Sequence, residues 1–198
     1  MIIFLNESVS KPFLKLKEKY DQAINANQEC IEAISISSFN ISSQEVNSRY
    51  VNLKLIDNNE FIFFTNYNSP KSIEFESHHQ IAATFYWASI NVQIRLKAKI
   101  KKTPKDYNQI YFCNRSPEKN ALSISSNQSE SIDSYENIIE KYNKSLETNN
   151  LKECPDYWGG YSFTPYYFEF WEGHDLRLNK RYAYKKNGDD WDCFFLEP

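Results

Sequence analysis

The sequence is poor in glycine, histidine and cysteine, and these shortages exclude several classes of enzyme. Its 198 residues include 4 glycines, 3 histidines and 4 cysteines. No GxGxxG or GxxxxGK[ST] motif occurs, and half of the glycines are used in the adjacent pair Gly159-Gly160. The usual cradles for dinucleotides and nucleoside triphosphates are therefore missing, which sets aside a Rossmann dehydrogenase and a P-loop NTPase. Serine-triad chemistry is equally unsupported because no GxSxG motif is present.

The cysteines and histidines are too scattered to indicate a metal site or a disulfide framework. No CxxC pair occurs, and the adjacent His78 and His79 would point apart with no further ligands nearby. No stretch approaches the roughly 18 apolar residues of a membrane span, and the first residues lack the basic segment of a signal peptide. We therefore expect a soluble cytoplasmic protein with reduced thiols, no bound metal and no membrane association.

The charge balance and composition favour one globular domain over residues 1–198. A net charge of -3 with 41% hydrophobic residues fits neither a basic nucleic-acid-binding protein nor a disordered acidic chain. The length suits one domain with a sizeable core. Aromatic residues, which make up 16% of the chain, favour well-packed strands.

Hydrophobic periodicity predicts an amphipathic N-terminal helix followed by a series of strands. Residues 11–28 repeat apolar side chains at helical spacing, namely Phe13, Leu16, Tyr20 and Ile24. Strands are predicted in IEAISIS, RYVNLKLI, EFIFFTN, QIAATFYW and NVQIRLKAKIKK. The last of these alternates apolar and polar residues, so one face of the sheet belongs to the core and the other is wet.

Three proline-containing steps predict helix starts between the strands. Ser69-Pro70, Thr103-Pro104 and Ser116-Pro117 each place an N-cap side chain before a residue suited to the first helical position. A longer helix is predicted in DSYENIIEKYNKSLE, and strands return in SFTPYYFEFW, RLNKRYAY and WDCFFLEP. This order predicts an α+β domain built on an antiparallel sheet or small barrel.

Cationic and amide side chains in several segments suit a phosphorylated ligand. In FWEGHDLRLNKRYAY, Arg177, Asn179 and Arg181 alternate, so on a strand they would share one face. A solvated outer face is the plain alternative, whereas an anion-binding row would use the planar fork of arginine. The predicted helix start at Ser69 and Lys71 is the best phosphate site, because free N–H groups converge there with a lysine.

Further candidates complete the prediction of a site for a flat, polar, phosphorylated ring cofactor. Arg49 and Lys54 lie on one predicted strand, and Arg115 stands beside Ser116. Any one of these residues alone is more often structural. The remaining members of the set are Gln93, Gln128, Ser129 and Trp171.

The chain resembles the pyridoxine/pyridoxamine 5'-phosphate oxidase family from about residue 11 to the C terminus. The resemblance rests on collinear segments: RYVNLK, FFTNYNSPK, FYW with NVQIR, YFCNR, SNQS, WGGY, FEFWEG, RLNKR and LEP. It implies an antiparallel split β-barrel with peripheral helices, the FMN-binding split barrel. It also implies a homodimer that binds FMN at the subunit interface.

The resemblance assigns roles to individual residues. Arg177 and Asn179 are implied as catalytic residues over the substrate ring, and Lys71 would hold the FMN phosphate beside Ser69. Gln128 and Ser129 would come from the other subunit or the facing wall. The other implied FMN contacts are Arg49, Lys54, Phe64, Thr65, Gln93, Trp171 and Arg181. Substrate contacts are implied for Lys54, Tyr111, Arg115, Lys119, Arg177 and Asn179.

Departures from the family pattern fall at both implied phosphate sites and at the substrate ring. Pro70 stands where the family usually has a basic residue, and Lys119 replaces a usual serine. The family's RLHDR reads RLNKR here, so Asn179 replaces the substrate-facing histidine and Lys180 an acid.

The implied activity is oxidation of pyridoxine phosphate or pyridoxamine phosphate to pyridoxal phosphate by FMN, with oxygen as acceptor and release of hydrogen peroxide. The departures keep open a divergent oxidase of another small ring-shaped metabolite, for example in secondary metabolism. A non-catalytic flavin-binding module is a third alternative, although it would not need the second phosphate site at Tyr111 and Arg115.

Overall fold

Ten strands form one continuous sheet, and five α-helices lie around it. The computed structural model describes residues Met1–Pro198. The strands are β1 (Ile3–Leu5), β2 (Ala33–Asn40), β3 (Glu45–Asn52), β4 (Leu55–Asp57), β5 (Glu60–Asn66), β6 (Gln80–Trp87), β7 (Val92–Lys102), β8 (Trp158–Glu172), β9 (Lys180–Asn187) and β10 (Asp190–Leu196). The helices are α1 (Lys11–Asn25), α2 (Pro70–Ser77), α3 (Lys105–Cys113), α4 (Pro117–Ser125) and α5 (Tyr135–Thr148). None of these helices combines the length and apolarity required to cross a membrane.

The sheet curls into a barrel that stays open on one side. The strand order is β1-β4-β5-β8-β7-β6-β2-β3, with β9 on β8 and β10 on β9, and only the β1–β4 pairing is parallel. Strand β3 approaches β5 without pairing to it, so the barrel is split between these strands. The α+β class and the split barrel predicted from the sequence are confirmed.

The 15-residue strand β8 belongs to both parts of the sheet. One edge pairs with β7 along its length, while the other edge pairs with β5 through its first half and with β9 through its second half. The β7–β8 register shifts between Lys97, opposite Tyr167, and Ala98, opposite Pro165, so Tyr166 forms a β-bulge. A bulge bends its strand, which lets one strand serve two walls.

The core lies inside the barrel, and α1 covers its open end with Phe13, Leu16 and Tyr20. Strand β7 buries every second side chain from Val92 to Ile100 and exposes the residues between, as predicted. The largest apolar contribution comes from phenylalanine rings, each worth about 1.5–3 kcal/mol when fully buried. The fully buried rings on the strands are Phe61, Phe63, Phe85, Phe163, Phe168 and Phe170.

Helix α1 is shorter than predicted and ends at Asn25 rather than residue 28. Asn27 has a φ of 54°, in the left-handed region, which stops the helix. Ile24 was expected on the buried face but is 36% exposed, and the fully buried Ala23 takes its place.

The segment RYVNLKLI forms two strands, so the prediction that Arg49 and Lys54 share one strand is wrong. The Leu53 N–H still donates to Glu32 O beside β2, whereas the Lys54 N–H donates to Ile62 O on β5. The chain therefore changes partner between these two residues. Arg49 stays on β3, and Lys54 lies in the connection to β4.

The predicted row of Arg177, Asn179 and Arg181 on one strand is also wrong. Strand β9 begins at Lys180, so only Arg181 lies on it, and the other two occupy the loop 173–179. The Arg177 N–H donates to His174 O at 2.8 Å and Asn179 Oδ1 accepts from the His174 N–H at 3.0 Å, which closes a turn. Arg177 has a φ of 61°, which is incompatible with extended backbone.

Two of the three predicted helix starts are confirmed. Ser69 and Ser116 are the N-caps of α2 and α4, each followed by proline. In α3 the N-cap is Pro104, so the prediction of Thr103 as its N-cap is wrong. The Thr103 hydroxyl instead donates to Asn108 Oδ1, inside a buried polar network.

This network fixes α3 against the glycine pair of β8. Asn108 Oδ1 accepts from the Gly160 N–H at 2.9 Å, and Asn108 Nδ2 donates to Tyr67 Oη at 3.0 Å. Tyr67 Oη in turn donates to Gly160 O at 3.0 Å. A Cβ on Gly159 would lie 2.1 Å from Tyr67 Oη and 2.4 Å from Asn108 Nδ2, so only glycine permits this approach.

We predict that Gly159→Ala destabilises the protein by about 1–3 kcal/mol, because the added methyl must displace Tyr67 and Asn108. The measurement is the thermal unfolding midpoint, which should fall by several degrees. Gly188→Asn is the control, since Gly188 has a φ of +56° and nothing within 4 Å of an added Cβ, and asparagine tolerates that conformation. An unchanged midpoint for Gly159→Ala would contradict the close-packing account.

Candidate functional site

A cleft of about 1270 Å³ opens at the split between β3 and β5. The start of α2, one face of α3 and α4, and residues 126–129 complete its walls. Ligand pockets commonly span about 300–1,000 Å³, so this volume is sufficient for a ring cofactor together with a small substrate. Of its 26 lining residues only 6 are hydrophobic, which indicates a polar or charged ligand.

Ten of the predicted site residues line this cleft, although they come from distant parts of the chain. They are Arg49, Lys54, Phe64, Thr65, Lys71, Tyr111, Arg115, Lys119, Gln128 and Ser129. Ser69 lies directly behind Lys71 and is fully buried. The other predicted residues lie outside the cleft of this chain: Gln93, Trp171, Arg177, Asn179 and Arg181.

The first cationic end of the cleft is Lys71, at the start of α2. Its side chain is 6% exposed, and its Nζ donates to Ser69 Oγ at 3.0 Å without forming an ion pair. Burial, with a smaller effect from the Arg49 charge, lowers the pKa of Lys71 to about 8, and the Glu74 charge partly opposes this shift. A buried ammonium group beside a helix N-terminus is well suited to hold an anion.

Arg49 faces the same end of the cleft, but its charge is already paired. Its Nη2 lies 2.9 Å from Glu74 Oε2, and its Nη1 donates to Ser38 Oγ at 2.5 Å. Asn47 Nδ2 also donates to Glu74, at 2.8 Å. The sequence reasoning missed Glu74, although its i,i+3 spacing from Lys71 on α2 places both on one helix face.

The second cationic end combines Lys54, Arg115 and Lys119. Burial lowers the pKa of Lys54; Glu32 opposes this shift, and the charges of Lys119 and Arg115 add to it. Burial also lowers the pKa of Arg115, whose guanidinium donates to Ser123 Oγ at 3.1 Å and to Lys119 O at 3.2 Å. Three cations therefore converge on a second position in the cleft.

Aromatic rings supply a flat wall in the same cleft. The Phe64 and Tyr111 rings stack with centroids 3.6 Å apart, and Phe64 and Trp158 stack at 5.3 Å. The Arg115 guanidinium lies 4.4 Å over the Trp158 ring, which fixes its direction. Burial raises the pKa of Tyr111, so its hydroxyl stays a neutral hydrogen-bond donor at neutral pH.

Gln128 and Ser129 lie on the facing wall of the same chain. Gln128 Oε1 accepts from Thr65 Oγ1 at 3.1 Å and from the Asn66 N–H at 3.3 Å. Ser129 has a φ of 73°, an uncommon conformation for serine that is often found at binding sites.

A second group of predicted residues forms a cross-strand row on β7, β8 and β9. Gln93 pairs in register with Trp171, and Trp171 pairs with Arg181. Arg181 is fixed by the buried Glu169, whose Oε1 accepts from Arg181 Nε at 3.1 Å and Nη2 at 2.9 Å. Glu169 was missed by the sequence reasoning, and the FEFW segment that contains it was the available signal.

Comparison with known proteins identifies the family. The pyridoxine/pyridoxamine 5'-phosphate oxidase 1 of Hydrogenovibrio crunogenus is 33% identical over 192 residues, which cover 94% of this chain and 88% of that protein. The pyridoxine/pyridoxamine 5'-phosphate oxidase of Coxiella burnetii is 31% identical, with 99% and 100% covered. The chain belongs to the pyridoxine/pyridoxamine 5'-phosphate oxidase family. The resemblance inferred from the sequence motifs is confirmed, and membership indicates an oxidoreductase that uses a flavin.

Three further comparisons concern the dimer and the fold. The family model described as "Pyridoxine 5'-phosphate oxidase C-terminal dimerisation region" matches residues 158–198, which indicates a homodimer. PhzG from Burkholderia lata 383, solved with tetrahydrophenazine-1-carboxylic acid, superimposes with a TM-score of 0.88 at 25% identity, covering 96% of this chain and 93% of PhzG. A pyridoxamine 5'-phosphate oxidase-related, FMN-binding protein from Nostoc punctiforme shares the fold at a TM-score of 0.77 and 11% identity, with 96% and 99% covered.

We predict that Lys71→Met stabilises the ligand-free protein at pH 7, because it removes a buried charge without a counterion. The native pKa of about 8 lies below the ordinary 10.5, so the unfolded state binds more protons between these values. Wild-type stability should therefore rise with pH across that window, and the advantage of the variant should shrink. Thermal unfolding at pH 7, 8, 9 and 10 measures this, with the exposed Lys144→Met as control. A lower midpoint for Lys71→Met at pH 7 would contradict it.

Proposed function

We propose that this protein is an FMN-dependent oxidase of the pyridoxine/pyridoxamine 5'-phosphate oxidase type. It oxidises pyridoxine phosphate or pyridoxamine phosphate to pyridoxal phosphate, with oxygen as acceptor and release of hydrogen peroxide. With the amine, water is also consumed and ammonia is released. The observation that carries the proposal is one cleft with two separate cationic ends and a flat aromatic wall. Such a cleft fits a phosphorylated ring cofactor and a phosphorylated ring substrate together.

The end at Lys71 fits the phosphate of FMN. Its ammonium group is buried, lacks a counterion and lies at the start of α2, where backbone N–H groups add to the positive potential. Thr65 and Gln128 offer hydroxyl and amide groups from the wall of the same cleft. When bound, FMN supplies the reversible acceptance of a hydride equivalent, and the chain supplies position and electrostatics.

The end at Lys54, Arg115 and Lys119 fits the substrate phosphate. Three cations suit a phosphate dianion better than a singly charged carboxylate. A bound anion would also stabilise the charged forms of the half-buried Lys54 and Arg115, whose pKa burial lowers. Stacking on Trp158 and the bond to Ser123 hold the Arg115 guanidinium in one direction. The Tyr111 hydroxyl adds a neutral donor beside it.

The row of Gln93, Trp171 and Arg181 is proposed to act across a homodimer interface. These residues and the loop 173–179 lie outside their own cleft, and most of them fall in the segment that matches the family's dimerisation region. In the dimer the row would close the flavin site of the neighbouring protomer. Arg177 and Asn179 would then lie over the substrate and exclude water from it.

Oxidation of another small ring-shaped metabolite is the second candidate. The PhzG structure, similar along almost its whole length, holds a ring carboxylic acid rather than a phosphate ester. Asn179 in place of the usual histidine also alters the surface that faces the substrate. A non-catalytic flavin-binding module is disfavoured, because the second cationic end has no purpose in it.

The direct test is reconstitution of the purified protein with FMN, followed by peroxide measurement at saturating oxygen. We expect one FMN per chain, a dimer by light scattering, and peroxide release with pyridoxine phosphate or pyridoxamine phosphate. Unphosphorylated pyridoxine is the control and should be a poor substrate, because it leaves the half-buried Lys54 and Arg115 without an anionic partner. Full FMN occupancy without turnover of either phosphate ester would exclude the vitamin B6 assignment and leave the second candidate.

Asn179→His provides a sharper prediction about the substrate. If the site serves a vitamin B6 phosphate, the added imidazole donor should raise kcat/KM for pyridoxine phosphate about tenfold, or about 1.4 kcal/mol. FMN affinity should stay constant because Trp171 and Arg181 are unchanged. The exposed Asn149→His is the matched control. A decrease in kcat/KM would instead show that the site is shaped for a different substrate.

A further inference from the structure

Glu74 is a buried carboxylate in the wall of the cleft. Its side chain is 2% exposed and lies on α2, one turn after Lys71. It accepts hydrogen bonds from Ser38 Oγ, from Asn47 Nδ2 at 2.8 Å and from Arg49 Nη2 at 2.9 Å. The other acid of α2, Glu76, is half-exposed. It pairs with Lys102 and does not line the cleft.

The two cations at this end of the cleft, Arg49 and Lys71, therefore differ in how strongly each can attract a phosphate. Arg49 and Lys71 both face the cleft, but only Arg49 has a carboxylate within ion-pair distance. An incoming phosphate meets Lys71, which forms no ion pair although the Glu74 charge also acts on it, and Arg49, whose charge Glu74 offsets at 2.9 Å. The negative charge of Glu74 also acts directly on the phosphate, because this carboxylate is buried in the cleft wall and is weakly screened by water.

From this geometry we propose that Glu74 is a specificity-determining residue that limits the preference of the cleft for phosphorylated over unphosphorylated ring ligands. It holds Arg49 in place and cancels its charge, so that discrimination depends on Lys71. This inference rests on the proposed flavin site and adds the residue that sets its affinity for phosphate.

Removal of the carboxylate charge at nearly constant shape isolates this role. In Glu74→Gln the amide oxygen can still accept from Arg49, so the guanidinium keeps its direction while its charge becomes available. The ligand-free protein should become less stable, because a partly buried arginine loses its counterion. The affinity for a phosphate-bearing ligand should rise, because the phosphate then becomes the counterion of Arg49.

The experiment compares dissociation constants for FMN and riboflavin, measured by quenching of flavin fluorescence. For Glu74→Gln we expect FMN to bind about fivefold tighter or more, with riboflavin unchanged within about twofold. Glu76→Gln is the matched control on the same helix and should leave both constants unchanged. Lys71→Met should weaken FMN selectively, in the opposite direction to Glu74→Gln.

A double variant distinguishes charge cancellation from a direct role of Arg49. Arg49→Met alone should weaken FMN, because it leaves the Glu74 carboxylate unpaired. Arg49→Met with Glu74→Gln removes both charges, so its preference for FMN over riboflavin should return to within about twofold of wild type. A double variant that still binds FMN poorly would overturn the proposal, and so would weaker FMN binding by a folded Glu74→Gln protein. If Glu74→Gln alone does not fold, the double variant decides.

Inorganic phosphate separates this inference from the proposed function. Should wild type bind neither flavin, the flavin assignment fails. A larger thermal shift with phosphate for Glu74→Gln than for wild type would still support the role of Glu74 in an anion site. No difference between the two proteins would overturn both ideas.

Discussion

The gap between β3 and β5 is the constraint on which the rest of the structure depends. Unpaired strand edges expose backbone groups that would otherwise be hydrogen-bonded, and proteins usually cover them. Here β8 pairs with β5 and β9 in turn, so the sheet curls without closing, and helices α2, α3 and α4 stand around the opening. The cleft thus results from a barrel that does not close, and its walls are mostly strands and helix ends, with residues 126–129 of the α4–α5 connection on the facing side.

The cations of this cleft lower the stability of the ligand-free protein. Lys71, Lys54 and Arg115 are each buried enough for their pKa to be lowered, and Lys71 and Arg115 make no ion pair. Such groups are rare at ordinary core positions, because burial of an unpaired cation opposes folding. Their presence at two ends of one cleft is best explained by anionic ligands that complete the structure.

The local sequence pattern was sufficient to predict most helices and strands. It did not predict the positions at which pairing with a distant strand determines the structure. The alternation in β7 and the serine-proline steps before α2 and α4 are local signals, and both were predicted correctly. The division of RYVNLKLI at Leu53 and Lys54 depends on a change of partner strand, which no alternation records. The turn at Arg177 depends on hydrogen bonds to His174 and on a left-handed residue. Glu74, Glu169 and Asn108 escaped notice because a buried polar residue shows its purpose only through its partners.

The bulge at Tyr166 determines which face each later residue of β8 presents. Before it, the strand forms the wall that carries Trp158 and the glycine pair. After it, Phe168 and Phe170 point to the core, while Glu169 and Trp171 lie on the opposite face of the sheet, where Glu169 is buried beneath Arg181. Because Tyr166 is the extra residue, its deletion would leave Pro165 opposite Ala98 and Tyr167 opposite Lys97 in a regular ladder. Both sets would keep their faces, and only the bend would be lost. A deletion later in β8 would instead exchange the two sets, since side chains alternate along a strand. In genetic terms, a single-codon deletion should be tolerated better at position 166 than at any of the positions 168–171. The alternation of side chains along β8, and not only the identity of its residues, therefore constrains this part of the sequence.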